Sequence, residues 1–98
     1  MRIDVSARNM DLTDAIKQYA TTKCEKLPKF FNGVQSIESV LESPKEGRFF
    51  AEVRVDVVKH ETFVSHEEGD DIYACIDEAV EKMTRQLKDF KERLKAHR

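Results

Sequence analysis

Basic side chains are concentrated in two stretches of the sequence whose apolar residues have helical spacing. Residues 17–29 hold four bases and one acid, a local charge of +3, and residues 82–98 hold seven bases and two acids, a local charge of +5. The whole chain of 98 residues has a net charge of −2, so the remaining residues must carry −10. Helices this rich in lysine and arginine are suited to bind phosphate, the commonest dense anion.

The same pattern has a simpler explanation, because exposed helices are often rich in charged pairs. A spacing of four residues places Glu78 beside Lys82. The same spacing places Asp89 beside Arg93, and such pairs stabilise a helix without any ligand. The bases nevertheless outnumber the nearby acids, and no acid lies between Arg93 and Arg98. A nucleic-acid partner is therefore as well supported as a solvated surface, although the net charge alone does not indicate one.

Other reactive residue types lack the spacing that catalysis or metal binding requires. His60, His66 and His97 show no ligand spacing, and the sequence has no glycine-rich phosphate loop and no candidate Ser-His-Asp set. Cys24 and Cys75 fall on apolar helical faces, which is typical of packed free cysteines. The sequence therefore predicts a protein that is not an enzyme and has no metal, no cofactor and no small-molecule substrate.

Hydrophobic periodicity predicts the two helices that carry the bases. Apolar residues at steps of three, four or one predict a first helix over residues 12–31. Pro28 should end or kink this helix, because proline lacks the N–H donor and restricts the residue before it. Apolar residues at steps of three or four predict a second helix over residues 70–96, about 40 Å long.

Four strands are predicted around these helices. Alternation over residues 2–6 and 49–57 indicates two of them, and residues 34–42 and 61–67 indicate the others. Residues 43–47 have the composition of a turn. The order β-α-β-β-β-α predicts a right-handed crossover between two parallel strands, followed by hairpins. Because each helix has one apolar stripe, we expect an α+β two-layer sandwich in which both helices cover one face of a four-stranded sheet.

Length and composition limit the chain to one small domain of residues 1–98. Hydrophobic residues make up 40% and charged residues 37%, which is a globular rather than a disordered composition. No apolar run approaches the ~18 residues of a membrane helix, and residues 1–5 do not resemble a secretion signal. Two cysteines rarely make a disulfide framework, so we expect a cytoplasmic protein. Because no apolar run is long enough to span a membrane, we also expect no membrane partner.

The two helical segments resemble those of a known family. In the first segment the resemblance lies in Leu12–Lys17, Tyr19, Lys23, Lys26–Leu27 and Phe31. In the second it lies in Glu68–Asp70, Ile72–Ala74, Ile76–Asp77, Lys82, Arg85–Leu87 and Lys91. Over essentially its whole length the chain resembles the ribosome hibernation promoting factor family, also called the ribosome-associated inhibitor or sigma-54 modulation family.

The resemblance implies binding to the small ribosomal subunit. Members of the family occupy the channel between its head and body, over the mRNA and tRNA positions, where helix bases contact rRNA phosphates and idle ribosomes are silenced. Gln86 would hydrogen-bond a sugar or a base edge. Lys29 is left out of the implied contacts, because Pro28 can redirect it. The implied rRNA-binding residues are Lys23, Lys26, Lys82, Arg85, Gln86, Lys88, Lys91, Arg93 and Lys95.

Relatives of different length imply different partners. Long members of the family add a second, dimerising domain, and other relatives that prevent ribosome pairing carry an extended C-terminal tail. A chain that ends at Arg98 is expected to be a short form. Such a form promotes ribosome dimers only together with a separate ribosome modulation factor, which would be a second partner.

Two other functions remain open. A double-stranded-RNA-binding module also places helices on one face of a small sheet, but its order is normally α-β-β-β-α. The predicted first strand, with Ile3 and Val5 inward, disagrees with that order. A protein-interaction module acting on transcription, as the older family name suggests, would use the acidic residues or the open sheet face rather than the basic helices.

Overall fold

A four-stranded mixed sheet carries two helices in the computed structural model, which describes residues 1–96. The sheet order is β1-β2-β3-β4, with β1 parallel to β2 and the other neighbours antiparallel. The predicted α+β fold and its element order are confirmed. The elements are β1 (Arg2–Arg8), α1 (Asp14–Cys24), β2 (Val34–Lys45), β3 (Arg48–Val57), β4 (Phe63–Gly69) and α2 (Ile72–Ala96).

Both helices cover one face of the sheet, as predicted. In β3, Val53 and Val55 are buried whereas Arg54 between them is exposed, which is the alternation of a strand with one covered face. The buried valines belong to one core with Ala20 of α1 and Met83 of α2. The opposite face of the sheet carries charged side chains such as Arg54 and Glu52 together with apolar ones such as Phe50 and Val64.

The first helix ends earlier than its periodicity predicts. Thr13 begins it, because the Thr13 hydroxyl oxygen accepts a 3.2 Å hydrogen bond from the Ile16 N–H. The helix ends at Cys24, and a separate 3-10 turn follows at Leu27–Phe30 with Pro28 in its first turn. The break predicted from Pro28 is therefore confirmed, and residues 27–31 do not continue α1.

The turn between β2 and β3 is shorter than the predicted turn over residues 43–47. The strands extend to Lys45 and from Arg48, so only Glu46 and Gly47 connect them. The Ser43 hydroxyl lies 3.0 Å from the carbonyl oxygen of Lys45 and 2.9 Å from that of Arg48, which holds the end of the hairpin together. Gly47 has φ of 76°, a left-handed conformation that glycine adopts without strain.

The two helices run in the same direction. The helix α1 follows β1 and α2 follows β4, and these two strands have the same orientation. Residues later in the first helical segment contact residues later in α2. The rings of Tyr19 and Tyr73 are 4.9 Å apart near the beginning, and those of Phe31 and Phe90 are 5.3 Å apart beyond the end of α1. Both helices therefore point toward one end of the molecule, where the last turns of α2 extend beyond the end of α1, and we call this end the carboxyl end. No helix within residues 1–96 is long and apolar enough to cross a membrane.

Candidate nucleic-acid interface

A cleft of about 360 Å³ opens at the carboxyl end, between the 3-10 turn and the last turns of α2. Its lining contains four lysines and one glutamate, so the side chains give it a local charge of +3. We call it the lysine cleft. The lining side chains are Lys29, Phe30, Lys88, Lys91, Glu92 and Lys95.

Three lysines of the predicted set meet in this cleft because of their spacing on α2. Lys88, Lys91 and Lys95 follow one another at steps of three and four residues, which places them on one side of the helix. The buried side chains of Met83 and Leu87 fix the rotation of α2 on the sheet. That rotation turns the lysine side toward the 3-10 turn.

The 3-10 turn contributes two residues that sequence reasoning did not place at the site. Lys29 lines the lysine cleft, although the prediction omits it because of Pro28. Pro28 occupies the first turn of the 3-10 segment, and this tight geometry carries Lys29 and Phe30 to α2. The sequence did contain a feature that could have indicated them, because a lysine and an aromatic residue directly follow the helix-breaking proline.

Lys23 lies nearer the middle of the helix pair, where it is already paired. Its Nζ is 3.4 Å from Oδ1 of Asp77 and 5.3 Å from the ring centroid of Tyr19. The Tyr19 hydroxyl donates a 2.6 Å hydrogen bond to the same oxygen. The bond between Lys23 and Asp77 raises the pKa of Lys23. The separate hydrogen bond between Tyr19 and Asp77 is the main reason why the pKa of Tyr19 is also raised. Asp77 thus offsets the charge of Lys23 and joins α1 to α2.

Lys82 and Gln86 lie on the other side of α2, against the edge strand β4. Lys82 Nζ is 3.0 Å from the His66 carbonyl oxygen and 3.0 Å from Oε2 of Glu67. Gln86 Nε2 donates a 2.9 Å hydrogen bond to the Val64 carbonyl oxygen. The bond from Lys82 lowers the pKa of Glu67. These two predicted side chains are therefore engaged with the sheet and do not line the lysine cleft.

The other predicted residues are exposed and lie around the cleft rather than in it. Arg85 is exposed on the side of α2 that faces away from the core. The guanidinium of Arg93 lies 5.9 Å from the ring centroid of Phe90. Lys26 directly precedes the 3-10 turn, where its carbonyl oxygen accepts a 3.2 Å hydrogen bond from the Lys29 N–H. His97 and Arg98, which contribute to the basic segment of the sequence, lie outside the described residues.

Within residues 1–96 no group of three or more His, Cys, Asp or Glu side chains is arranged to hold a metal ion. Cys24 is fully buried, and burial raises the pKa of its thiol to about 12. Cys75 is also buried, and burial raises the pKa of its thiol as well. Both thiols are therefore protonated near neutral pH, a state that suits packing rather than nucleophilic chemistry.

Residues 3–95 match the family described as Sigma 54 modulation protein / S30EA ribosomal protein. The chain belongs to this family. Among curated relatives, the ribosome hibernation promoting factor of Klebsiella oxytoca is 33% identical over 97 residues, which cover 99% of this chain and 100% of that protein. The protein of the same name from Escherichia coli K12 is 31% identical over the same coverage.

The chain is also similar to a longer protein and to two solved structures. The ribosome hibernation promotion factor of Staphylococcus aureus is 30% identical, and the match covers 96% of this chain but 50% of that protein. The crystal structure of the Protein Y N-terminal domain from Thermus thermophilus has a TM-score of 0.80 and 32% identity, covering 92% of this chain and 99% of that one. A ribosomal subunit interface protein from Coxiella burnetii, at 18% identity and a TM-score of 0.83, shares the fold over 94% of this chain and 99% of that one. The resemblance inferred from the sequence is thus confirmed, and the fold is that of the S30EA family.

Proposed function

We propose that residues 1–98 form a ribosome-binding domain that occupies the mRNA and tRNA channel of the small subunit and silences idle ribosomes in the cytoplasm. The lysine cleft is the observation that carries this proposal. Relatives that match the chain over their full length are named ribosome hibernation promoting factors. The protein acts by occupying a site, which requires no catalytic group.

The lysine cleft is suited to the RNA backbone because its cations stand on two walls. Lys29 lies on one wall, and Lys88, Lys91 and Lys95 lie on the other, with Glu92 the one acid in the lining. Phosphate contacts fix the position of a protein on nucleic acid, and folded RNA is recognised largely by its shape and by contacts to its backbone. A cleft with lysines on two walls can therefore select an rRNA surface without reading bases.

The exposed bases outside the cleft extend this contact. Lys26, Arg85 and Arg93 have no carboxylate partner within residues 1–96 and can reach phosphates around the channel wall. Lys23 and Lys82 would have to exchange a carboxylate partner for a phosphate, as would the cleft residue Lys95, whose Nζ lies 3.9 Å from Oε1 of Glu92. We therefore expect Lys23 and Lys82 each to contribute less than Lys88 or Lys91. Gln86 would likewise have to leave its bond to β4. Pairing of two ribosomes would require a separate ribosome modulation factor as a second partner.

Co-sedimentation with small ribosomal subunits tests the proposal. The protein is expected to sediment with the subunits at low salt, to inhibit cell-free translation, and to dissociate steeply as salt rises, because each phosphate contact releases counterions. Protein that remains at the top of the gradient at low salt would contradict the ribosome assignment. Sedimentation with the separate ribosome modulation factor present then shows whether ribosome dimers form.

A matched pair of double variants tests the lysine cleft itself. Lys88→Glu with Lys91→Glu is expected to weaken ribosome binding by about tenfold or more and to reduce the salt slope by about 1 for each lost phosphate contact. Arg8→Glu with Lys45→Glu makes the same change in net charge at exposed positions outside the cleft and outside both basic segments. Equal binding by the two double variants would rule out the lysine cleft as the interface.

The two alternative functions predict different results. The strand β1 precedes the first helix and pairs in parallel with β2. The usual order of a double-stranded-RNA-binding module has no such first strand. Equal affinity for arbitrary duplex RNA would nevertheless favour such a module. A transcriptional partner would bind through the acidic residues or the open sheet face, so its binding would persist in the Lys88→Glu, Lys91→Glu double variant.

A further inference from the structure

Phe30 gives the lysine cleft an aromatic surface among its cations. Phe30 is half-buried and packs against the hydrophobic core, and the Nζ of Lys88 lies 5.0 Å from its ring centroid. The next residue, Phe31, packs its ring against Phe90 at 5.3 Å and so anchors the segment to α2. The anchoring by Phe31 leaves Phe30 facing the cleft, where it lies beside Lys29 and opposite the lysines of α2.

We propose that the Phe30 ring stacks on the base of an unpaired nucleotide, while Lys29, Lys91 and Lys95 bind the flanking phosphates. This inference rests on the proposed function and specifies the form of RNA that the cleft accepts. Both faces of a base inside a duplex are covered by its neighbours, so an aromatic side chain can stack only on a base that has left the helix or lies in a single strand.

The size of the cleft agrees with this occupant. Its volume of about 360 Å³ lies at the lower end of the range for sites that enclose a small ligand. Such a cleft suits one nucleotide unit and its adjoining phosphates better than the groove of a duplex. The combination of cations that follow a backbone with an aromatic ring that stacks on bases is typical of single-strand binding.

Lys88 has two roles in this arrangement. In the free protein its ammonium lies over the Phe30 ring, an interaction that is weak at an exposed site. A stacked base would replace the ammonium above the ring. Lys88 would then be released to bind a phosphate of the same strand. Stacking on an aromatic ring tolerates any base, so we expect little sequence preference.

Fluorescence anisotropy with three labelled ligands tests the inference. The ligands are single-stranded oligoadenylate, an abasic strand with the same number of phosphates, and a duplex of the same length. The wild-type protein is expected to bind oligoadenylate roughly tenfold more tightly than the abasic strand, because only the former supplies a base to stack. Phe30→Leu keeps an apolar side chain and is expected to lose this preference, whereas Phe30→Tyr retains the ring and the preference. Phe50→Leu, which changes a half-buried phenylalanine on the other face of the sheet, is the matched control and should retain the preference.

The duplex is expected to bind more weakly than oligoadenylate, because its bases are covered. Equal wild-type affinity for oligoadenylate and either the abasic strand or the duplex would overturn the inference. Retention of the preference by Phe30→Leu would also overturn it, once thermal unfolding shows that the variant is folded. Competition by free adenosine monophosphate at the same concentration as oligoadenylate would overturn the assignment to a strand and indicate a mononucleotide site instead. If wild-type protein fails to sediment with ribosomes but keeps the Phe30-dependent preference, the proposed function is wrong and the unpaired-nucleotide site stands.

Discussion

The side-chain amide nitrogen of Gln86 donates a 2.9 Å hydrogen bond to the main-chain carbonyl oxygen of Val64. One helical turn earlier, Lys82 reaches the carbonyl oxygen of His66 at 3.0 Å. Both acceptors belong to β4, the strand at one edge of the sheet. Unpaired carbonyl groups on an edge strand can pair with another chain. Two side chains that the sequence predicts to bind RNA therefore also cover this edge and hold α2 against it.

Replacing Gln86 by alanine is expected to lower the free energy of unfolding by about 1 kcal/mol, because the hydrogen bond to Val64 is lost. Urea unfolding measures the effect. Gln18→Ala on the exposed surface of α1 is the matched control, and its effect should stay within about 0.5 kcal/mol. If the two variants are equally stable, the bond to β4 contributes nothing to the fold.

The ion pair of Glu67 with Lys82 predicts a pH-dependent stability. The hydrogen bond from Lys82, assisted by the Glu68 N–H, holds the pKa of Glu67 below its ordinary value of 4.5. The folded protein then binds this proton less tightly than the unfolded chain, so the pair stabilises the fold above about pH 4.5 and this contribution is lost as the pH falls below it. Wild-type protein should therefore lose stability relative to Glu67→Gln between about pH 6 and about pH 3. A stability difference that is independent of pH in urea unfolding would contradict this assignment.

The contact of Asp77 with Tyr19 can be measured by titration. A hydrogen bond to Asp77, together with burial, raises the pKa of Tyr19 above 10.0. Asp77→Asn removes the carboxylate charge and is expected to lower the pKa of Tyr19 toward 10.0. Phenolate absorbance in a Tyr73→Phe background isolates Tyr19, since the chain has two tyrosines. An unchanged titration curve would mean that Asp77 does not control this group.

Two buried serines are expected to respond in opposite directions to the same substitution. The Ser65 hydroxyl donates a 2.7 Å hydrogen bond to the Ala79 carbonyl oxygen, so Ser65→Ala should lower the free energy of unfolding by about 1 kcal/mol. The Ser39 hydroxyl is buried without a hydrogen-bond partner among the described residues, so Ser39→Ala should raise it by about 1 kcal/mol. Urea unfolding of both variants is the measurement. A loss of stability in Ser39→Ala would show that its hydroxyl is bonded in solution.

Periodic patterns predicted the regular elements, whereas single side chains decided where those elements end. The alternation of Val53 and Val55 with Arg54 identified β3 correctly, because one face of that strand is covered. Periodicity could not locate the end of α1, since Leu27 and Phe31 continue the helical spacing although they lie beyond the helix. Local hydrogen bonds, such as those of the Ser43 hydroxyl, set the hairpin length and leave no periodic signal.

The family resemblance implied three of the cleft lysines, and contacts between elements decide the rest of the candidate site. Lys88, Lys91 and Lys95 meet because helical geometry alone places them together. Whether Lys23 and Lys82 are free depends on acids that belong to other elements. Those acids are brought near only by the packing of α2 on α1 and β4, which the sequence pattern does not specify.

The shared direction of α1 and α2 affects how the molecule approaches a charged surface. Asp14 lies in the first turn of α1 and Asp70 and Asp71 directly precede α2, whereas bases such as Arg93 and Lys95 lie in the last turn of α2. The charge of the helix pair is therefore separated along the shared direction of the helices, in a molecule whose longest dimension is 49 Å. In the field of a polyanion such a molecule experiences a torque that turns its carboxyl end forward. Rotation would thus precede contact, and fewer collisions would meet the surface in the wrong orientation.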